Sequence, residues 1–176
     1  MSERYRTTIK SPIGDLWMVI ADGALELMDF DDDDNGRLQA FMARHYPDGL
    51  PPLGNDTTGL SGKMMAYFEG ELGAIDTLPA KPRGTDFQQL VWHELRMIPC
   101  GQTIRYRDLA ARIGRPRAVR AAGTANGSNP VSIVISCHRV IGSDGSLTGY
   151  GGGLHRKRWL LEHEGVTDLA PAATNS

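Results

Sequence analysis

The sequence has few cysteines, no long hydrophobic run and little net charge, and each of these absences excludes a class of protein. Its 176 residues contain two cysteines, Cys100 and Cys137, which are too few for a disulfide framework or a four-cysteine metal site. No apolar stretch approaches the roughly 18 residues of a membrane span. The start of the chain, Met1–Arg6, has no apolar signal segment behind it. We therefore expect a cytoplasmic protein whose thiols stay reduced.

The net charge of −2 hides an asymmetry along the chain. Residues 1–83 carry 8 Lys and Arg against 14 Asp and Glu, whereas residues 84–165 carry 11 against 6. The second part is therefore the one that a polyanion would prefer. A basic excess of this size also fits a solvated surface. The stretch Pro79–Gly84 lies where the balance changes, and its prolines and glycine predict a linker.

The first part has the pattern of a small domain that begins with strands and continues with helices. Turn sequences at 11–14 and 22–23 separate runs of β-type residues. The acidic run 31–34 predicts a solvated loop, since consecutive acids cannot all face one metal ion. The predicted elements are strands over 4–10, 15–21, 24–30 and 75–78 and helices over about 35–46 and 58–71.

The second part has a mostly helical pattern. Thr85 or Asp86 caps an amphipathic helix. Two short helices follow, 106–113 and one from Pro116 to about Ala125, and together they predict a helix-turn-helix. The second of these helices carries arginines that can reach outward among small residues that allow a close approach of the backbone. The arginines are Arg117 and Arg120, and the small residues are Ala118, Ala121, Ala122 and Gly123.

The stretch Ile133–Ile141 carries the strongest sign of chemistry. Its β-branched run predicts a buried strand that ends at Cys137, with His138 directly after it. A thiol is a strong nucleophile only as the thiolate, and a neighbouring imidazole favours that state. A single cysteine after an apolar run is as often a small buried hydrophobic residue. These residues alone leave the two interpretations equal.

Glu164 lies at the end of the last predicted helix, 154–164, which Gly165 terminates. Helical geometry points its side chain towards the packed side, near Leu160 and Leu161. A buried carboxylate needs a partner, and a histidine is the natural candidate. The alternative is a frayed helix end with Glu164 in water.

The motifs from Phe87 to Gly165, taken together and in order, resemble those of the O6-alkylguanine-DNA alkyltransferases, which are self-inactivating DNA-repair proteins. The first half, with its Ser11–Gly14 turn, resembles the small ribonuclease-H-like α/β domain of that family. The matching motifs are Phe87…Val91-Trp92…Ile98-Pro99…Gly101, Tyr106…Leu109-Ala110, Arg120-Ala121-Ala122-Gly123, Asn129-Pro130, Cys137-His138-Arg139-Val140, Gly149-Tyr150-Gly151-Gly152 and Leu160-Leu161…Glu164.

The resemblance implies an α+β fold of two domains. Residues 1–80 would form the ribonuclease-H-like domain, and 81–85 would be the linker. Residues 86–165 would form a mostly helical, winged-helix-like domain with the helix-turn-helix and the active-site cysteine. Residues 166–176 would be a flexible tail.

The resemblance also implies the activity of a methylated-DNA–[protein]-cysteine S-methyltransferase. A methyl or small alkyl group would pass irreversibly from O6-alkylguanine, and less readily from O4-alkylthymine, to Cys137, once per molecule. No cofactor is implied, because the thiolate is the acceptor, and no zinc, because no cysteine precedes Cys100. The expected partner is double-stranded DNA, bound by a monomer at the minor groove with the target base flipped out.

Each site residue receives a role from the resemblance. His138 would act as base through a bridging water, and Glu164 would orient it, following the logic of a catalytic triad. Asn129 would brace the site beside Cys137. On the DNA side, Tyr106 would hydrogen-bond guanine N3 and help rotate the nucleotide out, Arg120 would fill the gap left in the base stack, and Arg117, Ala121 and Gly123 would contact the DNA.

The resemblance also implies how the flipped guanine is bound. The carbonyl groups of Cys137 and Val140 would read its amine, and the N–H of Gly151 would meet O6. Tyr150, Trp92 and Ser136 would form the walls of the pocket.

Ser136 departs from the family pattern, which usually has proline before the cysteine. A serine there gives a looser and more polar wall. It keeps open an alternative function, a non-catalytic module that binds alkylated DNA to flag lesions or regulate transcription. A thiol hydrolase would use the same Cys-His-Glu set, but it leaves the helix-turn-helix and Arg120 without a purpose. We interpret Cys100 as structural.

Overall fold

The computed structural model describes residues 3–31 and 36–170 of the chain. It divides into two compact units, which we call unit 1 (residues 1–83 and 130–134) and unit 2 (residues 84–129 and 135–176). Helices combine with a three-stranded and a two-stranded sheet. The fold is therefore of the predicted α+β class.

Unit 1 is built on an antiparallel sheet of strands β1 (Arg4–Ile9), β2 (Leu16–Ala21) and β3 (Ala24–Phe30), in that order. The three strands were predicted within one residue at each end. Asp22 and Gly23 join β2 to β3 with positive φ values of 49° and 78°. Two adjacent positive φ values match the right-handed twist of a tight hairpin.

The outer edge of β3 is covered by two short segments of chain. Leu25 bridges to Ala80, and Met28 bridges to Val131. An uncovered edge offers unpaired backbone groups to other chains, and these bridges remove that hazard. Residues 130–134 thus pack within unit 1, although the sequence assigned them to the domain over 86–165.

Unit 1 also contains helices α1 (Arg37–His45) and α2 (Leu60–Phe68). Leu38 of α1 packs on Val19 and Leu27 of the sheet. The strand predicted over 75–78 is wrong, because the chain forms a 3-10 helix at Leu72–Ile75 and then a turn. Ile75 and Leu78 are both buried, and their separation of three residues is that of a helical turn. Of the acidic run 31–34, Asp32–Asp34 lie outside the described residues.

Unit 2 is mostly helical. Helix α5 packs on both α3 and α4, and the indole N–H of Trp92 donates to the carbonyl oxygen of Ala125 at 2.8 Å. The elements of unit 2 are α3 (Asp86–Leu95), β4 (Ile104–Arg105), α4 (Tyr106–Arg112), α5 (Val119–Gly127), β5 (Val140–Ile141) and α6 (Leu154–His163), with β4 parallel to β5.

One predicted helix start in unit 2 differs from the structure, and a further turn follows β5. The helix predicted from Pro116 begins at Val119, because Arg115–Ala118 form a turn closed by the N–H of Ala118 on the carbonyl of Arg115. Residues 142–145 form a turn in which Gly145 N–H donates to Gly142 O at 2.9 Å. No strand follows that turn within residues 146–153, so residues 142–145 do not close a β-hairpin.

The strand predicted to end at Cys137 is also wrong. Val131 alone makes a bridge, and the chain then turns at Ser132–Val134, where Ile133 has a φ of 73°. Every residue from 130 to 140 is buried. An apolar run that is buried on all sides carries no periodicity, so its sequence cannot separate a strand from a buried turn.

The described chain continues in an ordered form beyond Gly165. Val166 is buried, and its N–H donates to the carbonyl of Leu161 at 2.9 Å. The sequence placed this residue in a tail over 166–176, of which residues 171–176 lie outside the described part. Within residues 3–31 and 36–170, no helix combines the length and apolarity needed to cross a membrane.

Helix α3 begins with a capping box that a single substitution can test. The Thr85 hydroxyl accepts from Gln88 N–H at 3.2 Å, and the Gln88 side chain accepts from Thr85 N–H at 2.9 Å. We expect Thr85→Ala to lower the free energy of unfolding by about 1 kcal/mol, measured by urea denaturation. Thr167→Ala, at an exposed position outside the helices, is the control. Equal losses in the two variants would contradict the cap.

Candidate active site

Cys137 begins a short 3-10 helix, Cys137–Arg139, that leads directly into β5. Its side chain is almost completely buried, with 4% of the residue exposed. The preceding Ser136 has φ −81° and ψ 54°, and Cys137 N–H donates to Ile135 O at 2.8 Å. The thiol is therefore held on a tight, fully packed turn rather than at the end of a strand.

Asn129 fixes the thiol from the side. Its amide Nδ2 donates to the carbonyl oxygen of Ile135 at 2.7 Å and to Cys137 Sγ at 3.2 Å. Asn129 is itself fully buried. A donor aimed at sulfur favours the thiolate, because a hydrogen bond to a charged acceptor is stronger than one to a neutral acceptor.

Glu164 is the residue after α6, and its carboxylate binds two adjacent side chains of the 3-10 helix. Nε2 of His138 lies 3.0 Å from each carboxylate oxygen. Arg139 donates to the same carboxylate through Nε at 2.8 Å and Nη2 at 2.9 Å. The sequence predicted the histidine as partner of Glu164, and the structure confirms that contact. It did not predict the bidentate ion pair with Arg139.

The protonation states in this group follow from burial and charge. Burial lowers the pKa of His138, against the opposing effect of the Glu164 carboxylate. Burial also acts to raise the pKa of Glu164, but the imidazole of His138 and the guanidinium of Arg139 hold it well below its usual range. At neutral pH a neutral imidazole thus donates from Nε2 to an ionised carboxylate. Nδ1 of His138 has no hydrogen-bond partner among the described residues, and it carries the free lone pair.

A second group of donors surrounds the carbonyl oxygen of Thr148, a residue whose own side chain is exposed. The Tyr106 hydroxyl donates to it at 3.0 Å, and so does Nζ of Lys157 at 3.0 Å. Lys157 also donates to Val140 O at 2.6 Å and is fully buried. Burial lowers the pKa of Lys157 to about 8, although the nearby Cys137 acts in the opposite direction. Lys157 therefore links β5 to the loop that carries Tyr150 and Gly151.

Lys157 is a site residue that the sequence analysis missed. It lies three, four and seven residues before Leu160, Leu161 and Glu164, which places all four on the packed face of α6. A lysine on an apolar stripe that also contains a carboxylate is the signal that could have found it. Burial also raises the pKa of Tyr106, so both donors to Thr148 O stand in an environment that disfavours charge.

The glycine-containing loop after the turn at 142–145 is held by its own backbone and by α6. Gly153 N–H donates to Tyr150 O at 3.0 Å, and Arg156 Nη1 donates to Gly152 O at 3.0 Å. Tyr150 and Gly151 are half-buried. The carbonyl of Val140 already accepts from Lys157, which leaves its second lone pair for a ligand.

The predicted DNA-binding residues lie on α5. Arg117, just before the helix, and Arg120 and Ala121 within it are exposed. Gly123 faces Tyr106, since a Cβ on Gly123 would lie 3.5 Å from Cδ1 of that ring. A groove of about 640 Å³ runs between α3 and α5; its lining includes Phe87, Arg117, Arg120 and Ala121 and does not include Cys137.

Trp92 lies on α3. Its indole is buried and bonded to α5, as described above, so its observed contacts are those of a packing residue. Direct contacts join Asn129 to Cys137 and His138 to Glu164, and the two pairs are linked by the adjacent positions of Cys137 and His138 in the chain. No cluster of three or more His, Cys, Asp or Glu that could hold a metal occurs in the described part of the chain.

This arrangement is a thiol nucleophile followed in the chain by a histidine that is paired with a carboxylate. Comparisons with known proteins show which class of protein carries it. Residues 86–166 match the family model described as "6-O-methylguanine DNA methyltransferase, DNA binding domain". The methylated-DNA–protein-cysteine methyltransferase of Salmonella typhimurium is 48% identical over 171 residues, covering 89% of this chain and 93% of that protein. The chain therefore belongs to the methylated-DNA–protein-cysteine methyltransferase family.

Solved structures agree with this assignment. The crystal structure of the Mycobacterium tuberculosis O6-methylguanine methyltransferase is 40% identical with a TM-score of 0.77, covering 98% of this chain and 97% of that one. The M. tuberculosis protein in complex with DNA is 42% identical with a TM-score of 0.76, covering 91% and 92%.

The buried imidazole predicts a loss of stability in mild acid. The folded state keeps His138 neutral, whereas the unfolded chain protonates it below its ordinary pKa of 6.5. The unfolded state then binds more protons, so the contribution is complete above pH 6.5 and is lost as pH falls. We expect the free energy of unfolding to fall between pH 6.5 and 5.5 by up to about 1 kcal/mol from this group.

Chemical denaturation of the wild type and of His138→Gln at both pH values measures this effect. The substitution removes only the His138 imidazole, so the difference between the two pH slopes reports that group. Equal slopes would show that His138 is not held neutral.

Proposed function

We propose that this protein repairs alkylated DNA by transferring a methyl or small alkyl group from O6-alkylguanine, and less readily from O4-alkylthymine, to Cys137. The transfer is direct, irreversible and stoichiometric. The observation that carries the proposal is the fixed thiol of Cys137, which contacts Asn129 and precedes the buried His138–Glu164 pair. Membership of the methyltransferase family supports the same reaction.

The reaction needs no group beyond the thiol and the DNA. The Cys137 thiol gives up its proton, the resulting sulfur attacks the alkyl carbon, and a carbon–sulfur bond forms as the carbon–O6 bond breaks. The electron pair of that bond leaves with guanine. A thioether is a poor leaving group, so Cys137 cannot be regenerated by reversal and each molecule acts once.

His138 is the proposed base. Because Nε2 donates to Glu164, Nδ1 is the nitrogen that can take the thiol proton, directly or through one water. Glu164 fixes the tautomer and stabilises the imidazolium that forms, as the carboxylate of a catalytic triad does. Arg139 in turn neutralises Glu164 and orients both of its oxygens.

Tyr106 is the proposed donor to the departing guanine, at N3. Its hydroxyl now binds Thr148 O, so it exchanges that acceptor for the base. Lys157 keeps Thr148 in place during this exchange, because its ammonium group still binds both carbonyl groups. The carbonyl groups of Cys137 and Val140 would read the guanine amine, the N–H of Gly151 would meet O6, and Tyr150 and Ser136 would form pocket walls.

Double-stranded DNA is the proposed partner, as it is of the M. tuberculosis protein in the DNA complex. The alkyl carbon is inaccessible within a duplex, so the target nucleotide must leave the stack. Exposed Arg120 on α5 is suited to fill the gap, and Ala121 and Gly123 allow α5 to approach the minor groove as part of a monomer. In this proposal residues 86–165 form the winged-helix-like DNA-binding domain, and residues 1–80 form the ribonuclease-H-like domain.

The transfer reaction is tested with a duplex that contains one O6-methylguanine with a labelled methyl group. We expect wild-type protein to gain one methyl group per molecule by intact mass, with the label on Cys137, and Cys137→Ala to gain none. Cys100→Ser is the control and should react like wild type. Tight binding of the duplex without a mass gain would instead support a non-catalytic binding module.

Ser136 gives a second test, because its backbone already suits proline. Its φ of −81° lies within the range that proline adopts, and no described residue accepts a hydrogen bond from its N–H. We expect Ser136→Pro to raise the free energy of unfolding by about 0.4–1 kcal/mol, because it restricts the unfolded chain. Urea denaturation and the single-turnover rate of transfer measure the effect.

Ser136→Ala is the matched control for this test. It removes the hydroxyl group without restricting φ, so it separates the polarity of the pocket wall from the backbone restraint. A loss of stability in Ser136→Pro would show that the backbone at residue 136 does not suit proline in the folded protein.

A further inference from the structure

We propose that Asp29 is a positioning residue for Cys137, and that it acts by holding Ser132 in the segment 130–134. This inference rests on the proposed transfer reaction for its functional meaning. Asp29 lies in unit 1 and far from Cys137 in sequence, whereas Ser132 lies five residues before Cys137. The segment 130–134 is continuous in the chain with Asn129 before it and Ile135 after it, and those residues hold the thiol.

Asp29 is a buried carboxylate with three fixed partners. Only 2% of the residue is exposed. Arg37 Nε donates to Oδ2 at 2.7 Å, while Phe30 N–H at 3.0 Å and the Ser132 hydroxyl at 3.2 Å donate to Oδ1. A buried charge that is paired and hydrogen-bonded in this way has little freedom to move, so it gives Ser132 a rigid anchor.

The backbone of β3 holds the same segment beside Asp29. Met28 N–H donates to Pro130 O at 2.8 Å, and Ser132 N–H donates to Met28 O at 2.9 Å. Ser132 is therefore fixed through both its backbone and its side chain. Ser132 therefore cannot move to relieve strain in the turn, and the strain falls on the residue that follows it.

Ile133 is that residue, and it occupies a backbone region that β-branched residues avoid. Its φ is 73°, and Val134 N–H closes a three-residue turn onto Ser132 O at 2.9 Å. Such a conformation persists only where the surroundings fix the chain on both sides. Ser132 is fixed on one side by Asp29, and Ile135 on the other by the Asn129 amide at 2.7 Å.

The carbonyl of Ile135 connects the fixed turn at Ile133 to the nucleophile. It accepts from Asn129 Nδ2, which also binds Cys137 Sγ, and it accepts from Cys137 N–H at 2.8 Å. If Ser132 is released, the turn at Ile133 can relax, and the Ile135 carbonyl shifts with it. The Asn129 amide and the Ile135 carbonyl, which set the position of Cys137, would then both move.

The test compares Asp29→Ala and Ser132→Ala with Glu26→Ala as a matched control. Glu26 is also on β3, and its carboxylate is bound by Arg4 and Tyr46, but it has no hydrogen bond to residues 130–134. Two rates are measured on folded protein in a Cys100→Ser background: methyl transfer from a saturating O6-methylguanine duplex, and alkylation of Cys137 by iodoacetamide without DNA.

We expect both rates to fall about tenfold in Asp29→Ala, the scale on which small misplacements of a reacting group slow a reaction. We expect a fall of about threefold in Ser132→Ala, which loses one of the anchoring bonds. Glu26→Ala should lose stability and keep both rates. Unchanged rates in Ser132→Ala, or an equal fall in Glu26→Ala, would overturn the proposal.

A substitution at Ile133 separates positioning from general loss of stability. Glycine accepts a positive φ without strain, so Ile133→Gly added to Asp29→Ala should restore the rates even though the lost buried side chain lowers the melting temperature. A double variant that is slower than Asp29→Ala would overturn the proposal. If wild-type protein transfers no methyl group, the proposed function fails, and the iodoacetamide rates still decide the role of Asp29.

Discussion

The buried carboxylate of Glu164 is the interaction on which the rest of the site depends. A lone carboxylate in this place would be costly, so it requires the guanidinium of Arg139 and the imidazole of His138 together. Those two residues are adjacent on one 3-10 helix, and the residue before them is Cys137. By binding the second and third residues of that helix, one carboxylate holds the base directly and the neighbouring nucleophile through the backbone.

Charge in the site is divided between two groups with different tasks. Glu164 and Arg139 neutralise each other and leave His138 uncharged, so it can accept a proton. Lys157 donates to the carbonyl oxygens of Val140 and Thr148 and, as a buried cation near Cys137, favours a negative sulfur. The protein thus prepares a nucleophile for a single event. It needs no group that would restore the thiol afterwards.

Some features of the fold and the site could be predicted from the local sequence pattern, and others could not. The hairpin at Asp22-Gly23, the cap at Thr85 and the inward direction of Glu164 each depend on a few neighbouring residues, so the sequence predicted them. The strand before Cys137 was wrong, because a run buried on every side has no periodicity. Lys157 was missed, because a lysine near a helix end is usually assigned to the surface.

The sequence by itself determined the family and the three strands of unit 1, since these follow from motif order and from strand spacing. Only the tertiary structure decided the partners: Arg139 for Glu164, Thr148 for Tyr106 and Lys157, and the pairing of residues 130–134 with β3. The physical reason is that a buried charge or carbonyl accepts whichever donor the packing brings within about 3 Å. Sequence spacing does not encode that distance between residues far apart in the chain.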